Sequence, residues 1–130
     1  MRAFSRIAAA GAFSAGVAVA LGAFGAHGLR QVLSPEMLAV YETGVRYQMY
    51  HALALCAAGL AGAALPGCDR RLLLGASWAF GSGTVLFSGS LYALALTGIS
   101  VLGLVTPAGG VALIAGWLLL GAAFLRGGRG

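Results

Sequence analysis

Apolar residues occur in long runs that are separated by short polar segments. The first run, residues 7–26, contains twenty residues without a charge. An α-helix of this length is about 30 Å long, which matches the hydrocarbon core of a bilayer. Similar runs cover residues 47–65, 72–96 and 107–125. The pattern predicts an all-α membrane protein with four transmembrane helices.

The breaks between the runs carry signals for helix starts and stops. Residues 34–36, Ser-Pro-Glu, combine a hydroxyl N-cap, a proline in the first turn and an acid near the helix N-terminus. The segment that follows, up to Arg46, mixes apolar and charged residues. It predicts a short amphipathic helix at the membrane interface, with a bend at Gly44 before the second span. The pair at 66–67, Pro-Gly, ends that span, and the Thr-Pro pair at 106–107 starts the fourth.

Small residues recur at every fourth position in three of the runs. These positions are Ala10, Ser14, Ala18, Gly22 and Ala26 in the first run, Gly75, Ala79 and Gly83 in the third, and Ala108, Ala112 and Gly116 in the fourth. Stripes of small residues let membrane helices approach closely, where dispersion and weak hydrogen bonds hold them together. We therefore expect residues 1–130 to form a single domain, a tight four-helix bundle.

The composition agrees with a membrane location. Sixty per cent of the residues are hydrophobic and eight per cent are charged, whereas an ordinary soluble domain has roughly 25% charged residues. All eight basic residues are arginines that occur in ones and twos near the ends of the apolar runs. Nucleic-acid binding requires a clustered basic patch with stacking aromatic residues. We therefore expect the lipid bilayer, and no nucleic acid, as a partner.

The distribution of arginines predicts the orientation in the membrane. Six of them fall on one side of a four-span arrangement: Arg2, Arg6, Arg70, Arg71, Arg126 and Arg129. The other side has Arg30 and Arg46, so the positive-inside rule predicts that both termini are cytoplasmic. A cleaved signal peptide is the alternative for residues 7–26, but the apolar regions of signal peptides usually have about 7–15 residues. Its removal would also place the C-terminal arginines opposite the loop at 66–71.

Five segments resemble a known family. They are LGAFGAHGL (21–29), ETGVRYQMYHALAL (42–55), GTVLFSGSLYALAL (83–96), VTPAGG (105–110) and AGW (115–117). They resemble the bacterial membrane family called domain of unknown function 423, which is related to eukaryotic transmembrane protein 256. The resemblance extends over about residues 7–125 and implies four spans in the bacterial inner membrane. It implies no particular biochemical function.

A first candidate site consists of polar residues near the predicted non-cytoplasmic end. They are His27, Glu42, Arg46, Tyr47, Gln48 and His51. We predict that His27, Gln48 and His51 form a hydrogen-bonded polar cap between the first two helices, because an unsatisfied polar group in hydrocarbon costs several kcal/mol. Glu42 and Arg46 are spaced for a helical ion pair. The two histidines could instead bind a metal or haem, although Glu42, the nearest acid, points away from His51 on a continuous helix.

A second candidate site is a polar stripe on the third run, formed by Ser77, Thr84, Ser88 and Tyr92. Such hydroxyls either bond backbone carbonyls and neighbouring helices or line a pathway for water or a small solute. No nucleophile with its base can be assembled from the polar residues. We therefore expect a non-enzymatic accessory or scaffold component without a cofactor, in a homo-oligomer or a larger membrane complex. A small transporter that uses the stripe, and a metal or haem protein that uses the histidines, are the alternatives.

Overall fold

The computed structural model describes residues 1–127, which form four α-helices. They are α1 (Arg2–His27), α2 (Pro35–Ala64), α3 (Arg70–Thr97) and α4 (Thr106–Gly127). Short 3₁₀ segments, Leu29–Gln31 and Ser100–Leu104, lie in two of the connections. The all-α class is confirmed. Arg129, which contributed to the predicted orientation, lies outside the described residues.

The helix boundaries follow from local capping interactions. The Ser34 hydroxyl accepts a hydrogen bond of 3.2 Å from the Met37 N–H, and Pro35 occupies the first turn, so the predicted start signal of α2 is confirmed. Asp69 caps α3 by accepting hydrogen bonds from two backbone N–H groups of its first turn. α3 ends at Gly98, whose φ of 71° lies in the left-handed region that glycine adopts without a steric penalty. α4 begins, as predicted, at the Thr-Pro pair.

The separate amphipathic helix that the sequence predicted before the second span is not confirmed. Residues 35–64 form one continuous helix, and Gly44 lies within it. Gly44 is buried because the Tyr92 ring of α3 packs against it, so that an added Cβ would lie 2.7 Å from the Tyr92 Cε1 atom. This glycine therefore provides room for a neighbouring helix. The charged residues of the segment, Glu42 and Arg46, lie on the exposed side of α2.

Three helices within residues 1–127 are long and apolar enough to cross a membrane. They are α1 and α4, each with its adjoining 3₁₀ segment, and α3. α2 falls outside this group because polar and charged side chains from Glu36 to His51 lower its hydropathy. It packs between α1 and α3 and buries more residues than any other helix of the described chain. Insertion of α2 into a bilayer would therefore depend on partners for its polar groups.

Close backbone contacts hold α1 and α2 together along their length. Gly25 of α1 faces Tyr41 near the start of α2, whereas Phe4 packs on Gly62 near its end, so the two helices run antiparallel. A Cβ at Gly59 would overlap the backbone of Ala8. The other close pairs, α2 with α3 and α3 with α4, pack in the order of the chain. A glycine, which has no side chain, thus occupies the position where the backbones of α1 and α2 come very close.

The predicted small-residue stripes are confirmed in part. In α1, Ala18 is buried, whereas Ala10 and Ala26 at the ends of the stripe are exposed. Gly83 of α3 packs against Leu113 of α4, as its stripe predicted. The buried positions of α1 recur at every seventh residue: Phe4, Gly11, Ala18 and Gly25. Seven residues are about two turns, a period that keeps one narrow seam facing a nearly antiparallel neighbour.

Several arginines meet at one end of the molecule. The Arg126 guanidinium of α4 pairs with the Asp69 carboxylate at 3.2 Å. The Arg70 guanidinium lies over the Phe4 ring, 4.7 Å from its centroid. The start of α1, the connection from α2 to α3 and the end of α4 therefore share one end of the bundle.

Candidate functional site

Several polar side chains form hydrogen bonds between helices around Gln48, which lies near the middle of α2. The Gln48 Nε2 donates a hydrogen bond of 3.0 Å to the Ser14 carbonyl of α1. Its Oε1 accepts one of 2.7 Å from the Tyr92 hydroxyl of α3. The Gln48 side chain uses both its donor and its acceptor, and the residue is 7% exposed. One side chain thus connects three helices.

Two more hydroxyls donate to backbone carbonyls close to Gln48. The Ser88 hydroxyl of α3, in a residue only 1% exposed, donates to the Gly44 carbonyl of α2 at 2.7 Å. The Tyr41 hydroxyl of α2 donates to the Leu21 carbonyl of α1 at 2.6 Å. The rings of Tyr41 and Tyr92 pack with their centroids 5.3 Å apart. These bonds attach α2 to both of its neighbours within about two helical turns of Gln48.

His51 connects α2 to α4. Its Nδ1 lies 2.6 Å from the Tyr47 carbonyl, and its Nε2 lies 3.1 Å from the Trp117 indole nitrogen. A carbonyl can only accept and an indole N–H can only donate, so the partners define a neutral imidazole with its proton on Nδ1. The Phe80 ring packs beside both groups, 5.8 Å from the imidazole and 5.2 Å from the indole. The imidazole is therefore satisfied at both nitrogens.

We call these linking residues the central network: Tyr41, Gln48, His51, Ser88, Tyr92 and Trp117. Throughout residues 1–127, each buried side-chain nitrogen or oxygen has a hydrogen-bond partner. Because an unpaired polar group in hydrocarbon costs several kcal/mol, a network closed in this way is compatible with the interior of a bilayer. All of its links run through α2.

The prediction of a polar cap is wrong about its position along the helices and about one of its members. His27 is exposed at the end of α1. Gln48 contacts Ser14 instead, and residues 14 and 27 are separated by about 20 Å along α1. The error came from starting the second helix at Tyr47, whereas α2 begins twelve residues earlier. His51 consequently lies near the middle of its helix, far from His27.

Two other predictions for this site concern an ion pair and a possible metal site. The Glu42–Arg46 ion pair forms at 3.7 Å on the exposed face of α2, where such pairs contribute little stability. Within the part of the chain that the structure describes, no three histidine, cysteine or acidic residues come together as metal ligands. The His51 Nε2 lone pair, which a metal would need, accepts the Trp117 N–H.

The four residues of the predicted polar stripe of α3 differ in their hydrogen bonds. Ser88 and Tyr92 belong to the central network. The Ser77 hydroxyl instead donates to the Leu73 carbonyl of its own helix at 2.8 Å. Thr84 is half-buried, and its hydroxyl makes no hydrogen bond to any residue from 1 to 127. Two of the four stripe residues therefore link helices and two do not.

Tyr41 and Trp117 are the network residues that the sequence reasoning missed. Tyr41 lies in the segment for which the sequence predicts a short amphipathic helix, as one of its apolar residues. Trp117 carried a usable signal, because it lies ten residues inside the fourth apolar run. Tryptophans of membrane proteins are enriched at the two interfaces. One in the middle of a span therefore predicts a buried partner for its N–H.

Comparison with known proteins agrees with the long apolar helices, because the similar proteins are named as membrane proteins. The model described as "Protein of unknown function (DUF423)" matches residues 21–110. The chain belongs to this family. The matched region contains α2 and α3 entirely, and with them each central-network residue except Trp117.

Similar proteins occur in distant bacteria. The UPF0382 membrane protein YwdK of Bacillus subtilis (strain 168) is 48% identical over 110 residues, which are 85% of this chain and 88% of the relative. The UPF0382 inner membrane protein YgdD of Escherichia coli (strain K12) is 44% identical over 112 residues, covering 84% and 81%. No solved structure matches the chain. The chain is thus a membrane protein of a family of unknown function, and its relation to eukaryotic transmembrane protein 256 stays a prediction.

Proposed function

We propose that the chain is a four-span bundle of the bacterial inner membrane that serves as a non-enzymatic accessory or scaffold component. One observation carries the proposal: the polar side chains at the centre of the bundle bond to one another and to backbone carbonyls. Groups committed in this way hold helices in place. They are not free to bind a substrate or to transfer its protons.

The pairing of α1 and α2 supports a fourth span. α1 is long and apolar enough to cross a bilayer, and α2 lies antiparallel along it from Tyr41 to Gly62. These 21 steps correspond to about 32 Å, close to the hydrocarbon thickness of about 30 Å. The polar residues of α2 that lower its hydropathy, Gln48 and His51, are buried against other helices. α2 therefore crosses in this proposal although its sequence is less apolar.

The arginine-rich end supports the proposed orientation. Arg126 and Arg70 lie at one end of the bundle, together with the start of α1. Arg30 belongs to the connection at the opposite end. Since positively charged residues accumulate on the cytoplasmic side, we place both termini in the cytoplasm.

The outer surface supports contacts with lipid or with other membrane helices. Large apolar side chains more than 60% exposed occur on all four helices; among them are Phe13, Val19, Leu60, Trp78, Val85, Leu118 and Leu125. A small bundle with this surface and a committed interior is suited to join a homo-oligomer or a larger membrane complex.

Isolation of the tagged full chain in a mild detergent tests the accessory role. We expect a discrete complex by native mass spectrometry, containing either several copies or a second membrane protein in fixed ratio. Solute uptake by the chain alone in liposomes is the matched measurement. A monomeric chain with saturable uptake that Ser88→Ala abolishes would contradict the proposal and establish the transporter alternative.

A further inference from the structure

An open groove lies between α1 and α3 on the outer surface of the bundle. It has a volume of about 420 Å³ and exists because both helices pack against α2 rather than against each other. Its lining includes Arg6, Ile7, Leu55, Leu74, Trp78 and Gly81. The groove is apolar except for the arginine and one serine, Ser77, whose hydroxyl bonds to its own helix.

A second apolar hollow adjoins the groove on the surface of α3. The two share Trp78 and Gly81, and the second is lined by α3 residues alone, as far as Leu86. From Leu74 to Leu86, α3 rises by about 18 Å. One leaflet of a bilayer has a hydrocarbon thickness of about 15 Å, half of the whole core. The groove and the adjoining surface of α3 together therefore match the length of an acyl chain in one leaflet.

Positive charge lies at the mouth of this groove. Arg6 lines it at the end of the bundle where Arg70 also lies. Among residues 1–127, ion pairs form between Glu42 and Arg46 and between Asp69 and Arg126, so no acid neutralises Arg6. A cation above an apolar channel is complementary to a molecule with an anionic head and a long apolar tail.

We propose that this groove binds an anionic phospholipid, with the phosphate at Arg6 and one acyl chain against Trp78 and Gly81. Basic pockets between transmembrane helices on the cytoplasmic side bind anionic headgroups in this way. The proposal requires α1 and α3 to lie in the bilayer with the arginine-rich end at the headgroups. It does not depend on the accessory role.

Lipid retention by the full-length protein tests the headgroup site. Native mass spectrometry would measure bound phosphatidylglycerol against bound phosphatidylcholine, supplied in equal amounts in a mild detergent. We expect preferential retention of phosphatidylglycerol. Arg6→Gln should reduce this preference about fivefold, the contribution of one basic residue close to anionic headgroups. Arg30→Gln, which removes a charge at the opposite end, is the matched control and should leave the preference unchanged.

A second variant tests the acyl-chain channel. A Cβ at Gly81 would meet no atom within 4 Å, so Gly81→Leu can fill the groove without disturbing the helices. We expect it to abolish retention of both lipids, with an unchanged melting temperature. Gly121→Leu on α4 also enters open space, outside the groove, and should retain lipid normally.

Two results would overturn the proposal. Equal retention of phosphatidylglycerol in the wild type, Arg6→Gln and Gly81→Leu would show that the lipid binds elsewhere. A dimer that Gly81→Leu dissociates, without any change in lipid retention, would show that a second copy covers the groove. Recovery of each variant in the membrane fraction is measured separately, so a failed lipid site is distinguishable from a failed membrane placement.

Discussion

The middle and the C-terminal end of α2 hold their neighbours in different ways. In the middle, the Gln48 and His51 side chains reach the other helices through hydrogen bonds. At the end, Gly59 and Gly62 present no side chain, and the start of α1 packs directly on the α2 backbone. Lipid is as apolar as a leucine side chain, so helices in a membrane associate through close packing and through polar groups that need partners. α2 uses close backbone packing at its C-terminal end and hydrogen bonds at its centre.

The largest effect is expected from filling the glycine contact. Gly59→Leu places a side chain where the Ala8 backbone lies, and neither backbone can yield locally. We expect the free energy of unfolding to fall by about 3 kcal/mol or more, since overpacking already costs 1–3 kcal/mol where side chains can adjust. Reversible unfolding in detergent micelles, followed by circular dichroism, measures the loss.

The matched control for this substitution is Gly16→Leu, also on a helix of the same pair. A Cβ at Gly16 meets nothing within 4 Å. Its stability should stay within about 0.5 kcal/mol of the wild type, as for other substitutions at surface positions. Equal losses in the two variants would mean that the α1–α2 contact is not the cause.

The second-largest loss of stability is expected from removing a hydrogen bond of the central network. Gln48→Leu replaces the amide by an apolar side chain of similar size and leaves the Tyr92 hydroxyl without its acceptor. We expect a loss of about 1–2 kcal/mol in the free energy of unfolding. A double-mutant cycle with Tyr92→Phe separates the pair from its surroundings. A coupling energy near zero would show that the hydrogen bond does not hold the helices.

Thr84→Val is the control for that experiment. Thr84 belongs to the same polar stripe of α3, yet it donates to no residue from 1 to 127. Replacing its hydroxyl by a methyl group should change the free energy of unfolding by less than about 0.5 kcal/mol. A loss as large as that of Gln48→Leu would erase the distinction between linked and unlinked stripe residues.

A smaller effect is expected at the link to α4. Trp117→Phe keeps an aromatic ring beside Phe80 but removes the donor to the His51 Nε2. We expect a loss of about 1 kcal/mol in the free energy of unfolding. Trp78→Phe, at a tryptophan 78% exposed, should have no comparable effect. The reverse order of the two variants would contradict a structural role for the His51–Trp117 bond.

The smallest effect concerns the charged end of the bundle. The Leu72 N–H, together with the Arg126 guanidinium and the Arg71 N–H, holds the pKa of Asp69 below its usual value. The stabilisation is therefore fully present above the unfolded pKa of about 3.9 and is lost as pH falls through the lower, folded pKa. The melting temperature should decrease slightly between pH 5 and pH 2 for this reason. Asp69→Asn keeps a capping side chain but cannot titrate, and it should lack this part of the decrease.

Local sequence predicted the helices better than it predicted their depth. The cap at Ser34 is a contact between residues three apart, and it forms as expected. Gly44 was interpreted as a bend because glycine tolerates many backbone angles. Its actual role is to accommodate Tyr92, which lies 48 residues later. The residues around Gly44 in the sequence do not predict that contact. The same misplaced boundary moved His51 from the middle of a helix to its edge.

The sequence predicts which residues belong to the candidate site, but it does not predict which groups they bond to. Gln48, His51, Ser88 and Tyr92 were all selected, because polar groups in apolar runs need partners. The partner of Gln48, however, is the Ser14 carbonyl, a group that every residue possesses and no side-chain pattern reveals. Partner choice depended on the antiparallel register of the helices, which glycine contacts far from the site determine.

The exchange of the Trp117 indole proton with water would show whether the central network is closed to water. The His51 Nε2 accepts this proton in a hydrogen bond that joins α2 to α4. Nuclear magnetic resonance of ¹⁵N-labelled protein in lipid nanodiscs, transferred into heavy water, would follow the indole signal and the histidine nitrogens together. We expect a slowly exchanging indole proton and one His51 tautomer, protonated at Nδ1. Exchange within the dead time, with mixed tautomers at His51, would contradict a closed network and indicate a water-accessible pathway.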